Sequence, residues 1–327
     1  MKKKTNIYCT IRSLVSGAAL VLAAYCLPLT TCPSFGAFQD SGWGVRPLGM
    51  GGAFTAVADD SNGQLYNPAG LAFVPQEELS VMSAQLYTGL DTVNIGLNYL
   101  GYVKPVSGKF GNLGFVWGSL SATSLYREDT ASLGYGRFVN DVFGLSQPAI
   151  SVGANVKYIK HEYTLDVRTV DDPVFAHGNS AAATAFDVGV MASWEKLGLN
   201  VALACKNVNS PDVGLLTVDK VPNENVLGFS YYTAQLPFLK IPDFTSALDI
   251  VSRDNQTDVR FGVESWMFDS KFALRAGASQ ENITFGLGYE ISISAKTKLI
   301  IDYSFAWPLQ IENTSGSHRF GLSVCLP

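Results

Sequence analysis

Ile283-Thr284-Phe285-Gly286-Leu287-Gly288-Tyr289-Glu290-Ile291-Ser292 alternates without a break. Successive side chains of an extended chain point to opposite faces. Ile283, Phe285, Leu287, Tyr289 and Ile291 therefore share one side, and Thr284, Gly286, Gly288, Glu290 and Ser292 the other. A water-soluble sandwich turns its apolar face inward and shows solvent a face rich in Lys and Glu. Here the second face is mostly small. That is the two-residue repeat of a strand with lipid on one side and a watery or filled bore on the other.

The pattern recurs outward from this stretch. Val152, Ala154, Val156 and Tyr158 oppose Ser151, Gly153, Asn155 and Lys157. Leu227, Phe229 and Tyr231 oppose Gly228 and Ser230, and Phe320, Leu322 and Val324 oppose Arg319, Gly321 and Ser323. Turn signals such as Asn140-Asp141, Asn209-Ser210-Pro211 and Asn313-Thr314-Ser315-Gly316 punctuate these runs. The spacing predicts about 14 strands, an even number as bacterial membrane barrels require, the first near 79–87 and the last near 317–326. The expected fold class is all-β, a transmembrane antiparallel β-barrel. The long polar stretches at 166–180 and 207–223 are assigned outside the cell, because such barrels keep their periplasmic turns short.

Composition agrees. Of 327 residues, 47% are hydrophobic and only 16% charged, against roughly a quarter charged in ordinary globular proteins. After the N-terminal run, no segment reaches the roughly 18 consecutive apolar residues a spanning helix needs. An exported chain this apolar has the closed barrel as its other way to satisfy a backbone in lipid. The net charge of −5 leaves no basic footprint, so no nucleic-acid partner is expected.

Lys2, Lys3 and Lys4 precede an apolar run from Leu14 to Leu29, and Ser34 and Gly36 stand at the spacing signal peptidase accepts. Residues 1–36 therefore read as a signal peptide directing the chain to the bacterial outer membrane, with an uncleaved anchor helix as the alternative. Cys26 and Cys32 follow Tyr25 and Thr31, where a lipoprotein signal prefers a small residue. Past the signal only Cys205 and Cys325 remain, enough for one bridge or two thiols and too few for a disulfide framework.

Residues 37–78 do not alternate. Gly49, Gly51 and Gly52 permit tight turns, Ala53 to Asp59 predicts a short helix, and Asn67-Pro68-Ala69-Gly70 is a turn signal. No Gly-Lys-Ser/Thr follows the glycines, so a phosphate loop is not supported. Side chains alone fill a bore of up to about eight strands. A wider one holds water or a plug, which assigns 37–78 to an N-terminal hatch and 79–327 to the barrel.

Charges fall on the inward parity of the C-terminal strands: Arg260, Glu264, Arg275, Glu290, Lys298, Asp302 and Arg319. With Arg46, Asp59 and Asp60 of the hatch they predict a network of lumen ion pairs, serving as a latch or as bracing. His161, His177 and His318 are scattered and accompany no nucleophile motif, so no enzyme, metal site or cofactor is expected. Trp117, Trp194, Trp266 and Trp307 are placed in membrane-interface belts, and Trp43 in the packing of the hatch.

The run Arg46-Pro47-Leu48-Gly49-Met50-Gly51-Gly52-Ala53-Phe54, then Ala56-Val57-Ala58-Asp59-Asp60, then Tyr66-Asn67-Pro68-Ala69-Gly70-Leu71-Ala72 resembles the N-terminal signature of the FadL-type long-chain fatty-acid transporter superfamily, nearest its shorter PorV-like branch. Val152 to Lys160, Phe186 to Val190 and Ile301-Asp302-Tyr303 look similar too, so the resemblance spans nearly the whole mature chain. It implies a 14-stranded barrel with a hatch inside, passive uptake of a hydrophobic, fatty-acid-like ligand, and release sideways through a gap in the wall. Asn67, Pro68 and Ala69 correspond to the family's hatch motif, with Gly49, Gly51, Gly52 and Phe54 beside the ligand path. The expected partners are that ligand and outer-membrane lipid, and the expected state is a monomer. This chain is shorter than the fatty-acid transporters, and Cys325-Leu326-Pro327 lacks their terminal aromatic. The rival reading is a barrel without transport: a shuttle or scaffold in protein export, or a surface antigen or adhesin.

Overall fold

The computed structural model describes residues 37–38 and 42–327, apart from 91–93, 108–109, 145, 168, 170, 237–238 and 255. The expected signal peptide at 1–36 lies outside the described residues.

The strands are β1 (Glu77–Leu86), β2 (Ile95–Ser107), β3 (Gly111–Ala122), β4 (Tyr126–Phe138) and β5 (Ala149–Tyr163). Then come β6 (Ser180–Trp194), β7 (Leu199–Lys206), β8 (Glu224–Leu236), β9 (Ile241–Arg253) and β10 (Gln256–Met267). β11 (Phe272–Ala278), β12 (Asn282–Ser292), β13 (Lys298–Pro308) and β14 (Ser317–Leu326) complete the set. Each strand pairs antiparallel with its sequence neighbour, and β14 returns to β1 with Glu77 opposite Leu326, closing the barrel. The expected count of 14 is met, with the first strand within two residues of its expected bounds and the last at them.

Closure leaves no edge with unpaired N–H and C=O groups. The alternation does the rest. Ile283, Phe285, Leu287, Tyr289 and Ile291 are exposed on the outside, while Thr284, Gly286 and Gly288 between them are buried in the bore. On β5, Val152, Val156 and Tyr158 are likewise exposed, and Ser151, Asn155 and Lys157 are buried.

The up-and-down order defines two ends. The near end holds the start of β1, the end of β14 and the turns after even-numbered strands; the far end holds the turns after odd-numbered ones. The two long connections, 164–179 and 207–223, both lie at the far end, on one side of the barrel as expected. Cys205 on β7 and Cys325 on β14 are free thiols.

Inside the bore runs the segment that precedes β1. Its regular structure is slight: helix α1 (Val45–Gly49) and two 3-10 stretches, Gly63–Leu65 and Pro68–Phe73. The helix expected over Ala53 to Asp59 does not form. Its first N–H groups, those of Phe54 and Thr55, instead donate to the wall carboxylate of Asp249, each at 3.0 Å, and Ala58 adopts a positive φ that ends the turn. A one-turn helix has little cooperativity to set against such tertiary partners. Met50, Phe54, Ala58, Asn67, Ala69 and Leu71 are almost wholly buried.

The small residues of the inner face are what let this segment in. A Cβ on Gly153 would collide with the carbonyl group of Pro68, and one on Gly262 with that of Met50. The inner face is not small and polar everywhere, as the alternation had suggested. On β1 to β3 it carries Met82, Leu97, Tyr99 and Val116, which pack with Val45 and Leu65 into an apolar core under the inner segment. Replacing Gly153 or Gly262 by Val should destabilise the folded barrel by about 1–3 kcal/mol, the usual cost of overpacking. Urea unfolding in detergent, followed by tryptophan fluorescence, should show that loss, while Leu287→Val on the outer face should shift the midpoint far less.

Candidate functional site

The site is the bore itself. Its centre is a continuous ion-pair chain that ties the inner segment to the wall. Arg46, on α1, forks onto Glu264 of β10, with Nε donating to Oε2 at 2.9 Å and Nη2 to Oε1 at 2.8 Å. Its remaining amino group holds Asp59 at 2.6 Å and Asp60 at 2.9 Å. Glu264 also accepts from Arg275 Nε at 2.6 Å, and Arg275 Nη1 reaches Asp302 at 2.6 Å. Alternating signs keep each buried charge partnered. The two guanidiniums also lie over aromatic faces, Arg46 over Phe54 and Arg275 over Trp266.

Six of the residues singled out from sequence therefore meet: Arg46, Asp59, Asp60, Glu264, Arg275 and Asp302. The other four stand apart. Arg260 pairs with Asp258 at 2.9 Å nearer the far end, Glu290 pairs with Lys298 at 3.0 Å towards the near end, and Arg319 is buried beside Gly42 and Leu48.

Asn67 is fully buried and makes the turn that follows it. Its Oδ1 accepts from Ala69 N at 3.0 Å, its Nδ2 donates to the Thr55 carbonyl at 3.0 Å, and Pro68 starts the 3-10 stretch. This turn presses on the near halves of β4 to β6 at Gly136, Gly153 and Gly189. Asn67, Pro68 and Ala69 therefore close the bore from below. They do not line a cavity.

The open space is at the far end. A cavity of about 290 Å³ is lined by Leu48, Leu86, Ile95 and Leu120 together with Glu128, Asp258, Arg260, Glu281 and Arg319. Gly51 and Gly52 form part of its floor, whereas Gly49 packs between Arg275 and Gly286 and Phe54 is buried below. A second space of about 80 Å³ lies across Tyr66, among Phe38, Trp43, Lys157, Lys206 and Arg253. Trp43 accepts a hydrogen bond from Tyr66 Oη on its carbonyl, 2.8 Å away, so the strap between the two spaces is fixed.

A second charge cluster was not singled out from sequence. Lys157 pairs with Asp187 at 2.6 Å, Lys206 with Glu224 at 2.8 Å, and Arg253 also bonds Glu224. The inward parity of β5, β6 and β8 was the available signal: Lys157 falls between outward Val156 and Tyr158, Asp187 between Phe186 and Val188, and Glu224 shares the parity of inward Gly228 and Ser230. The histidines build no reactive group. His161 is buried with its Nε2 2.7 Å from the Val213 carbonyl, and His318 Nδ1 meets Tyr303 Oη at 2.8 Å. Among the described residues no group of His, Cys, Asp and Glu could hold a metal ion.

Solved structures similar in fold include transporters of toluene. The toluene transporter TodX of Pseudomonas putida superposes with a TM-score of 0.56 at 13% identity, over 88% of this chain and 97% of that one. The Ralstonia pickettii toluene transporter TbuX gives 0.55 at 12%, over 88% and 98%. A TodX deltaS2S3 mutant, described as a monoaromatic hydrocarbon channel, gives 0.57 at 13%, over 88% and 98%. This chain has their fold. No protein-family model and no curated protein sequence matches it. The shared fold is the 14-stranded barrel that the FadL-type resemblance implied. Among the described residues every neighbouring strand pair is hydrogen-bonded, although β6 meets β7 only from Val188 onward and β10 meets β11 only from Phe261 onward.

Removing one member of the central chain strands its partners. Glu264→Gln should cost about 3–5 kcal/mol, because two buried guanidiniums lose their shared carboxylate. The combined change Arg46→Met, Asp59→Asn, Asp60→Asn, Glu264→Leu, Arg275→Met, Asp302→Asn should cost far less, because it leaves none of the six charges stranded. Urea midpoints of the single and combined variants in the same detergent check this.

Proposed function

We propose that the chain is an outer-membrane channel for small hydrophobic molecules, in which the inner segment is a hatch. The observation that carries this is the far-end cavity: a space of about 290 Å³, close to the lower end of the usual size for a small-molecule site, open above a floor of inner-segment residues and blocked beneath by the Asn67 turn. The apolar outer face supports residence in lipid. The structural neighbours, named as transporters of toluene and monoaromatic hydrocarbons, support a hydrophobic cargo and a passive route.

The cavity's lining bears on the cargo. Leu86, Ile95 and Leu120 offer a greasy surface to a ring or chain, while the polar part mixes Arg260 and Arg319 with the carboxylates of Glu128, Asp258 and Glu281. A fatty-acid-like molecule would lay its chain on the greasy surface and turn its carboxylate to the two arginines. We place release at the near end, past the Asn67 turn. There, shifting the hatch means moving Arg46 away from Glu264 while Asp59 and Asp60 travel with it, so the charge chain works as a latch. Nothing in this route breaks a covalent bond, so the reading is not that of an enzyme. A protein-export scaffold has no use for a cavity of this kind.

Binding of oleate and of toluene by the purified barrel tests the reading. Both should bind, oleate more weakly after Arg260→Gln. Removing residues 37–78 should convert a closed barrel into one that conducts ions steadily in a planar bilayer. Unchanged binding together with a closed, non-conducting barrel after that deletion would refute the hatch.

A further inference from the structure

The six near-end turns are 108–110, 139–148, 195–198, 237–240, 268–271 and 293–297. Each holds a large apolar residue left bare: Phe110, Val142, Leu197, Leu239, Phe268 and Ile293 are between 62% and 75% exposed. All but 139–148 also hold a lysine: Lys109, Lys196, Lys240, Lys271 and Lys296. Lys196, Lys240, Lys271 and Lys296 are exposed, and none of the four joins an ion pair among the described residues. The far end differs in charge and not in apolar exposure, since Val167, Val218 and Leu309 are bare there too. Its turns hold nine carboxylates against Arg168, Lys220 and His177, whereas the near-end turns hold five lysines against Asp141, Glu195 and Asp269.

From this we infer that the near rim is a binding surface for anionic phospholipid. An apolar side chain in water at every turn is unfavourable, and becomes favourable when each dips into the interfacial layer of a bilayer. Lysine beside it keeps its stem in the apolar layer and its ammonium at headgroup level, where lipid phosphate is. The distribution decides between occupants. A protein partner covers one patch, whereas this motif repeats round the whole circumference, as a surrounding leaflet does. The charge asymmetry sets the sense: the rim at the hatch end meets the leaflet with anionic phospholipid, and the acidic crown faces away from it. The inference rests on the barrel spanning a membrane.

Spin-label spectroscopy on the purified barrel in vesicles of equal parts phosphatidylcholine and phosphatidylglycerol tests it. Spin-labelled phosphatidylglycerol should be enriched about fivefold over the choline lipid in the motionally restricted shell. That preference should fall to near unity in the combined variant Lys196→Gln, Lys240→Gln, Lys271→Gln, Lys296→Gln, and should survive Asp254→Asn with Glu312→Gln at the far end. If the quadruple variant does not fold, high salt applied to the unaltered barrel should abolish the preference just as well. Equal association of the two lipids with the unaltered barrel, or a preference untouched by both treatments, overturns the inference and leaves the apolar rim to a protein partner. A barrel that stays out of the vesicles altogether overturns the membrane reading beneath it, a separate and visible outcome.

Discussion

A stretch of chain with almost no regular secondary structure is buried inside this barrel, and every peptide group it brings must find a partner there, because an unpaired buried backbone group is costly. The wall supplies those partners by side chain. Asn112 donates to the carbonyls of Leu71 and Val74, Ser151 to Ala69, Asn155 to Gln64, and Asn200 and Ser230 both to Ala56. Asp249 accepts from the N–H groups of Phe54 and Thr55, and Glu78 takes both N–H and hydroxyl from Ser61. The inner face is therefore a complementary surface for one particular path of backbone. Serines and asparagines stand where a peptide group passes, glycines where the backbone itself touches.

This explains why the outer face was so legible and the inner one only partly so. Outward residues answer to lipid, a solvent without detail, and any large apolar side chain will do. The alternation of Ile283 to Ser292 thus declares both its strand and its orientation, and the remaining strands follow it. Inward residues answer to individual atoms of the inner segment. Sequence tells that Asp249 points inward, but not that it takes the first N–H groups of a would-be helix at Phe54 and Thr55. It tells that Gly153 is small, but not that Pro68 needs the room. The same limit accounts for the apolar lining of β1 to β3: Met82, Leu97 and Val116 occupy inward positions because Val45 and Leu65 happen to lie over them.

Of the charges, those with partners in both signs nearby were readable. Glu264 and Arg275 are cross-strand neighbours on β10 and β11, so their pairing follows from register alone. That Arg46 completes the chain depends on where α1 docks, more than two hundred residues away in sequence. Asn67-Pro68-Ala69 was recognisable as a turn, and the structure shows what the turn does: it wedges into the near side of the bore. Its distance from the far-end cavity separates two places that sequence had merged, the turn and the open space.

Why the inner segment is moored by ions and not by grease alone follows from energetics. A well-packed apolar contact of the same size would be at least as stable, since desolvating Arg46 and Glu264 consumes most of what their attraction returns. Yet an apolar mooring has no defined alternative once broken. Arg46 does have one. Its guanidinium is already shared between Glu264 on the wall and Asp59 and Asp60 within its own segment, and Asp59 is half exposed on its side chain. Apart from the wall, Arg46 would still have two carboxylates, and Glu264 would still have Arg275. Each side carries one guanidinium and two carboxylates, so every charge in the chain has an opposite charge on its own side of the contact.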